Sequence, residues 1–261
     1  MNKKIALSIG GSDSGGGAGI QADLRTFFSL KVHGCTAITC TTAQNSQKVS
    51  SVQVIQENHL NDQIDSVLTD FDIKALKTGM LLNENIIETV AFRIQDVLIP
   101  KIIDPVMVSK TGSKLLEESA IYAYKKLLIP QAELLTPNIY EAKLLSNVEI
   151  RNKENIEQAG LMILGLGTYS VLIKGGGLDI FKGQDFYIDQ DGNRYWLSHK
   201  YIQTKNTHGS GCSLSAAICG FRAMGFDLLE SIKKAKVFLE KSLQNSYKIG
   251  SGPGPLGHYY L

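Results

Sequence analysis

The chain has 261 residues, 43% hydrophobic and 20% charged, which supports a substantial core and excludes a disordered or fibrous protein. Twenty-seven basic against twenty-five acidic residues leave a net charge of +2, and no long block of like charge suggests a nucleic-acid or membrane surface. No stretch approaches the roughly 18 apolar residues of a membrane span, and the run after Met1-Asn2-Lys3-Lys4 is too short for a signal peptide, so a cytoplasmic protein is expected. The length suits one α/β domain over residues 1–261, with no Pro/Ser-rich linker and no internal repeat. Cys35, Cys40, Cys212 and Cys219 lack the paired CxxC spacing of a zinc site, and Cys35, Cys40 and Cys219 read as core residues.

Short β-rich runs alternate with helical patterns. Ile5 to Ile9 reads as a strand, and Ile20, Leu24, Phe27 and Phe28 then fall on one helical face. Thr36 to Thr41 (strand), Leu60 to Leu68 (helix), Ala75 to Thr78 (strand), Ile86 to Val97 (helix) and Ile102 to Ile103 (strand) follow. Helix Ser119 to Leu128, strand Leu134 to Thr136, helix Ile156 to Leu166 and strand Val171 to Lys174 continue the pattern. Such alternation predicts a largely parallel sheet covered by helices on both faces. Asp191-Gly192, flanked by Phe186-Tyr187-Ile188 and Tyr195-Trp196-Leu197, predicts a small antiparallel hairpin near 185–197. Two helices, Ser213 to Met224 and Leu228 to Gln244, and a Gly/Pro-rich tail close the chain.

The motifs fall where strands give way to helices. Gly10 to Gly19 holds six glycines in ten residues, a density that permits close backbone approach to a ligand or phosphate and that a short mobile connection would not need. It is neither a Walker motif nor GxGxxG; the one GxGxxG match, Gly252, Gly254 and Gly257, has no strand before it or helix after it. Asp104 ends a strand and suits either a magnesium ligand or a structural cap. Asn138 and Glu141, at i and i+3, suit water-mediated metal binding or an ordinary helix turn. Lys174 emerges from a buried strand into Gly175-Gly176-Gly177, placed either to meet a phosphate or to be solvated. In Asn206-Thr207-His208-Gly209-Ser210-Gly211-Cys212-Ser213 two glycines and a thiol stand where an apolar helix begins. Peptide N–H groups around Gly209 to Cys212 would lack intrahelical partners and face an anion, and the helix dipole would favour a Cys212 thiolate; the competing reading is a flexible turn before a core cysteine.

Several of these segments together resemble the hydroxymethylpyrimidine and hydroxymethylpyrimidine phosphate kinases of thiamine biosynthesis, in the ribokinase-like superfamily. The resemblance runs nearly end to end. It is carried by Gly11-Ser12-Asp13-Ser14, Gly16-Gly17-Ala18-Gly19-Ile20-Gln21-Ala22-Asp23, Thr42-Ala43-Gln44-Asn45, Lys77-Thr78-Gly79-Met80, Asp104-Pro105-Val106-Met107, Thr136-Pro137-Asn138 with Glu141-Ala142, Lys174-Gly175-Gly176, and Asn206 to Cys212. Gly10 and Ser210 depart from the commoner alanine and threonine, at positions where backbone N–H groups would make the contacts.

The resemblance implies a three-layer sandwich whose largely parallel central sheet is flanked by helices. ATP and Mg²⁺, with a monovalent cation as a further candidate, would serve two successive phosphorylations: of the hydroxymethyl group, then of the monophosphate. By the same resemblance Gly11, Asp23, Gln44, Met80 and Val106 would contact the pyrimidine. Lys174, Asn138, Thr207, His208, Gly209 and Gly211 would meet ATP or its phosphates. Asp104, Asn138 and Glu141 would support the metal, and Cys212, Lys174, Gly209, Ser210 and Gly211 would be catalytic, in a protein expected to be a homodimer. Gln44 has its own physical sense, since an amide offers both donor and acceptor to an aminopyrimidine edge. A pyridoxal kinase of the same fold is the alternative, and a non-catalytic pyrimidine-binding sensor is a rival of another class.

Overall fold

The computed structural model describes residues 3–107 and 116–259. They gather into two compact units, one drawn from Met1–Leu81, Asp96–Ile102 and Ile202–Leu261, the other from Leu82–Gln95 and Ile103–Tyr201.

In the first unit the strand order is β3-β2-β1-β4-β5, with β1 at Ile5–Asp13, β2 at His33–Gln44, β3 at Val49–Val54, β4 at Ile73–Thr78 and β5 beginning at Lys101. β1 runs parallel to β2 and β4, and β3 returns antiparallel along β2. Helix α1 (Gly19–Ser29) packs on β1, α2 (Glu57–Asp70) on β2, and the closing pair α7 (Ser210–Met224) and α8 (Leu228–Gln244) pack on each other, α7 also meeting α1 and β4. β1 outruns its apolar run by four residues, continuing through Gly10 and Gly11 to Asp13. These two glycines sit close to neighbouring strands: the Gly79 N–H donates to the Ile9 carbonyl (2.8 Å). A Cβ on Gly11 would fall 2.8 Å from Met80 Cε and 2.9 Å from Cys40 Sγ.

One expectation fails here. Leu24 and Phe28 are exposed (37% and 84%), and the buried face of α1 is Ile20, Ala22, Asp23, Thr26 and Phe27. A buried aspartate takes the place an apolar residue would fill, because its charge is matched inside the unit. Strand β3 was not foreseen, since all but its last residue are exposed and Val-Ser-Ser-Val-Gln-Val shows no core-facing alternation. It is an edge strand, held by backbone pairing to β2. Cys35, Cys40 and Cys219 are buried, as expected, and Cys212 is half-buried.

In the second unit Ile103 accepts the Thr136 N–H (3.0 Å) beside β6 (Leu134–Leu135), and the strand order within the unit is β6-β7-β8-β9. β7 (Ser170–Lys174) runs parallel to β6, whereas β8 (Gln184–Asp189) and β9 (Arg194–Ser198) follow antiparallel as the expected hairpin, with Gly192 at φ 86° in its turn. Helix α3 is Glu84–Ile94, α5 is Ile139–Ser146 and α6 is Lys153–Leu164. The helix expected over Ser119 to Leu128 is α4 (Glu118–Ala123) running into a π-helical turn, Tyr124–Leu128, where the buried Tyr124 hydroxyl donates to the Asp104 carbonyl (3.3 Å). Among the described residues no helix is long and apolar enough to cross a membrane.

The tail belongs to the first unit. The Gly254 N–H donates to Asn206 Oδ1 (3.0 Å), and the His208 N–H donates to the Gly254 carbonyl (3.1 Å). A Cβ on Gly254 would lie 1.9 Å from the Tyr247 carbonyl, so packing accounts for a glycine of the GxGxxG match. Further on, buried His258 places Nε2 2.8 Å from Ser213 Oγ, in the first turn of α7. Burial, and secondarily the Arg25 charge, depress the His258 imidazole to about 4, so it folds neutral. Its stabilising contribution is present above the unfolded value near 6.5 and is lost as pH falls through 6.5 toward 4. Thermal unfolding from pH 7 to 4.5 should show Tm falling less steeply in His258→Gln than in the parent; equal slopes would remove His258 as the source.

Candidate active site

The candidate residues fall into two groups, one in each unit. The first is organised by Asp13, which sequence reasoning quoted inside a motif but gave no role. Its carboxylate, 4% exposed, accepts the N–H groups of Gly15 (2.8 Å), Gly17 (3.1 Å) and Ala18 (2.9 Å), and its Oδ2 lies 2.8 Å from His208 Nε2. Burial raises the Asp13 carboxyl, but His208 and the backbone N–H groups more than offset this and hold it below its ordinary value. One carboxylate thus folds the glycine loop around itself and ties it to the residue before the Gly209 turn.

That turn does cap a helix. Gly209 is the N-cap of α7 at φ 82°, and a Cβ there would lie 1.9 Å from the Gly17 carbonyl oxygen, so the two glycine-rich segments touch through backbone alone. The Ser213 N–H closes the first helical bond onto Gly209 (2.8 Å), while Ser210 N–H reaches Thr207 (3.3 Å). Gly211 and Cys212 occupy the next two positions of the first turn. Backbone N–H groups at the positive end of a fifteen-residue helix form the type of surface that binds phosphate oxygens.

Among the expected pyrimidine contacts, Gly11, Asp23, Gln44 and Met80 lie in this unit. Gln44 Oε1 is 3.2 Å from Thr42 Oγ1 and its Nε2 is 3.4 Å from His208 Nε2. Met80 is half-buried with its methyl against Gly11. Asp23 is 1% exposed, accepts the Ser8 hydroxyl (2.6 Å) and takes Lys77 Nζ on both oxygens (2.8 Å each). Lys77 is the second residue that sequence reasoning passed over. The signal was weak, because strand Ile73–Thr78 holds two lysines, Lys74 and Lys77, and only the fold buries Lys77, whose charge then needs a partner.

The second group lies in the second unit. Lys174 Nζ bonds Asp104 Oδ1 (2.9 Å), which also accepts from Thr136 Oγ1 (3.2 Å), and the Lys174 N–H donates to the Pro137 carbonyl (2.8 Å). The Lys174 side chain is 15% exposed and Asp104 2%, so Lys174 is not a freely solvated strand-end lysine: strand ends β5 and β7 present a matched pair. Val106, another expected pyrimidine contact, follows as a half-buried residue. Asn138 and Glu141 form a capping box at α5: Asn138 Oδ1 accepts the Glu141 N–H (2.9 Å) and Glu141 Oε2 accepts the Asn138 N–H (2.8 Å). Burial pushes the Glu141 carboxyl up to about 8, with Lys174 pulling it down and Asp104 pushing it up. Among the described residues no group of three or more His, Cys, Asp or Glu side chains is arranged to hold a metal ion. Asp104 and Glu141 nevertheless supply neighbouring oxygen donors of the hard type that Mg²⁺ accepts through water, so their chemistry fits that ion.

An α/β fold with phosphate-type backbone at a helix start, and a lysine held at a strand end, defines a small-molecule kinase of the ribokinase-like class. The chain belongs to the phosphomethylpyrimidine kinase family, whose model matches residues 13–257. It is 49% identical over 261 residues to the hydroxymethylpyrimidine/phosphomethylpyrimidine kinase of Synechococcus elongatus, covering 100% of this chain and 99% of that one. The ADP complex of Bacillus subtilis pyridoxal kinase superposes with a TM-score of 0.92 at 35% identity, covering 98% of each chain. The phosphomethylpyrimidine kinase of Clostridium difficile superposes with a TM-score of 0.79 at 33% identity, covering 90% of this chain and 99% of that one.

The Asp23–Lys77 pair is buried on both sides, so removing one partner strands a charge. In urea unfolding, Lys77→Met should cost ~3–5 kcal/mol, and Asp23→Asn combined with Lys77→Met should cost less than Lys77→Met alone. Additive losses would mean that the two charges are not coupled.

Proposed function

We propose that the protein transfers the γ-phosphoryl group of ATP to the hydroxymethyl oxygen of 4-amino-5-hydroxymethyl-2-methylpyrimidine, and then phosphorylates the monophosphate to the diphosphate. The observation that carries the reading is the Gly209–Cys212 start of α7, packed through Gly209 on the Gly17 loop, in a member of this family. Residues 1–261 act as one kinase domain in a cytoplasmic homodimer, with no nucleic-acid or membrane partner.

Gly11, Asp23, Gln44, Met80 and Val106 contact the pyrimidine. The N–H groups of Gly209 and Gly211 and the positive end of α7 stabilise negative charge on the transferring phosphoryl group, aided by the Lys174 ammonium, while Ser210, whose N–H is bonded to Thr207, holds the turn. Phosphoryl transfer asks little covalent chemistry of the protein, so positioning and charge stabilisation supply most of the rate. Asn138, Thr207 and His208 border the nucleotide phosphates. Asp104, Asn138 and Glu141 hold Mg²⁺, which when bound neutralises charge on the phosphates, and a monovalent cation supports the nucleotide. Cys212 takes the proton of the substrate hydroxyl in the first transfer. A phosphate acceptor is already ionised and asks for no base in the second.

The likeness to pyridoxal kinase keeps one rival reading, phosphorylation of a pyridoxal-type alcohol. ATP consumption measured separately with the pyrimidine alcohol, its monophosphate and pyridoxal decides between them. The first two should turn over, with pyridoxal at least about tenfold lower in kcat/KM, a gap of ~1.4 kcal/mol; turnover of pyridoxal alone would replace the reading. Cys212→Ala should slow the first transfer by ~10²-fold or more while affecting the second much less. Equal losses in single-turnover assays of both steps would reduce Cys212 to a positional role.

A further inference from the structure

The closing tail carries the Gly252, Gly254 and Gly257 pattern, which no part of the proposed reaction uses. All three glycines lie against backbone carbonyls. A Cβ would fall 1.9 Å from the oxygen of Ser46 at Gly252, 1.9 Å from that of Tyr247 at Gly254 and 2.2 Å from that of Asn245 at Gly257. None of the three has a positive φ, so close approach, and not backbone conformation, calls for glycine here. Residues 254–258 are buried. The tail is a packed element that fits in one register.

It docks at three places, all within the first unit. The Gly252 N–H donates to Ser46 Oγ (3.0 Å), two residues past Gln44 in the turn between β2 and β3. The Gly254 N–H donates to Asn206 Oδ1 (3.0 Å) and the Gly254 carbonyl accepts the His208 N–H (3.1 Å), with Pro255 paired beside His208 in a parallel bridge. His258 Nε2 lies 2.8 Å from Ser213 Oγ in the first turn of α7, and its carbonyl accepts the Ser29 hydroxyl at the end of α1. Residues 202–207 belong to no helix or strand, so partners outside that segment set its path toward Gly209. Two such partners follow α8 in the chain: Gly254 on Asn206, and Ser246, whose Oγ is 3.0 Å from Thr204 Oγ1.

We propose that the tail from Gly252 to His258 is a positioning strap, which holds the Asn206–Gly209 segment and the first turn of α7 in register with the Gln44 turn, and that Ser46, Asn206 and His258 are its anchors. The proposal rests on the reading of Gln44 as a pyrimidine contact and of the α7 start as the phosphate site. The anchors touch no reactant in that reading and act through the groups they hold. Such placement matters because transfer between two bound molecules is sensitive to errors of about 1 Å in their relative position. A strap also transmits: a displacement at its Ser46 end is felt at its α7 end, 160 residues away in sequence and on the other side of the proposed reacting atoms.

Steady-state kinetics of the full chain, with the pyrimidine alcohol varied at saturating ATP and well below each variant's Tm, test this in Gly252→Ala, Asn206→Ala and their double variant. The added methyl of Gly252→Ala meets only Ser46 and Gln47, yet it should lower kcat by about fivefold as well as raise the pyrimidine KM. Asn206→Ala, which frees the strap from the α7 side, should lower kcat by a similar factor. The double variant should be little worse in kcat than the poorer single one, since both changes release the same strap. If Gly252→Ala does not fold by circular dichroism, Ser46→Ala takes its place, and Ser46→Thr, which keeps the hydroxyl, should stay within about twofold of the parent. A Gly252→Ala enzyme altered in the pyrimidine KM but not in kcat would reduce the contact to a local one and overturn the strap. So would losses that multiply in the double variant, or variants that lose only Tm. A parent that does not turn over the pyrimidine alcohol overturns the functional reading itself, and the strap falls with it.

Discussion

The Asp13 carboxylate is the constraint on which the first unit's site depends. A buried carboxylate is tolerable only when its lone pairs are filled, and here three backbone N–H groups of the glycine loop and the His208 ring fill them. The loop has to wrap around that charge, and Gly17 is thereby brought under Gly209, where backbone meets backbone with no room for a side chain. A loop of glycines would otherwise be a poor scaffold, since glycine loses the most conformational freedom on ordering. The carboxylate and the close packing together supply the order that the loop's own sequence lacks.

The second unit uses charge in another way. Lys174 and Asp104 sit at neighbouring strand ends and satisfy each other, and Glu141, close by and deeply buried, has its carboxyl raised to about 8. A lysine paired with a buried carboxylate is held in place without a long side chain being left to wander. The capping box at α5 fixes Glu141 by the same bonds that begin the helix, so helix stability and site geometry share the same atoms.

Much of this was legible in the chain. Alternation of strands and helices gave the α/β class, Asp191-Gly192 gave the hairpin, and the Gly209 turn before an apolar run gave the helix start, because each depends on residues near one another in sequence. Asp104 and Lys174 could be placed at strand ends but not joined, being 70 residues apart. Strand β3 left no mark, since an exposed edge strand is specified by its partner's backbone and not by apolar spacing.

The face of α1 shows the division most plainly. Periodicity pointed to Leu24 and Phe28, yet Asp23 faces inward, because Lys77 on β4 and Ser8 on β1 meet it there. Sequence alone determined the fold class, the order of most elements and the glycine-rich segments, all set by local propensity and spacing. Tertiary structure alone decided which buried charges are paired and what the glycines touch. The reason is physical: a charge or a missing Cβ is neutral information until the group opposite it is known, and that group lies on another strand or helix.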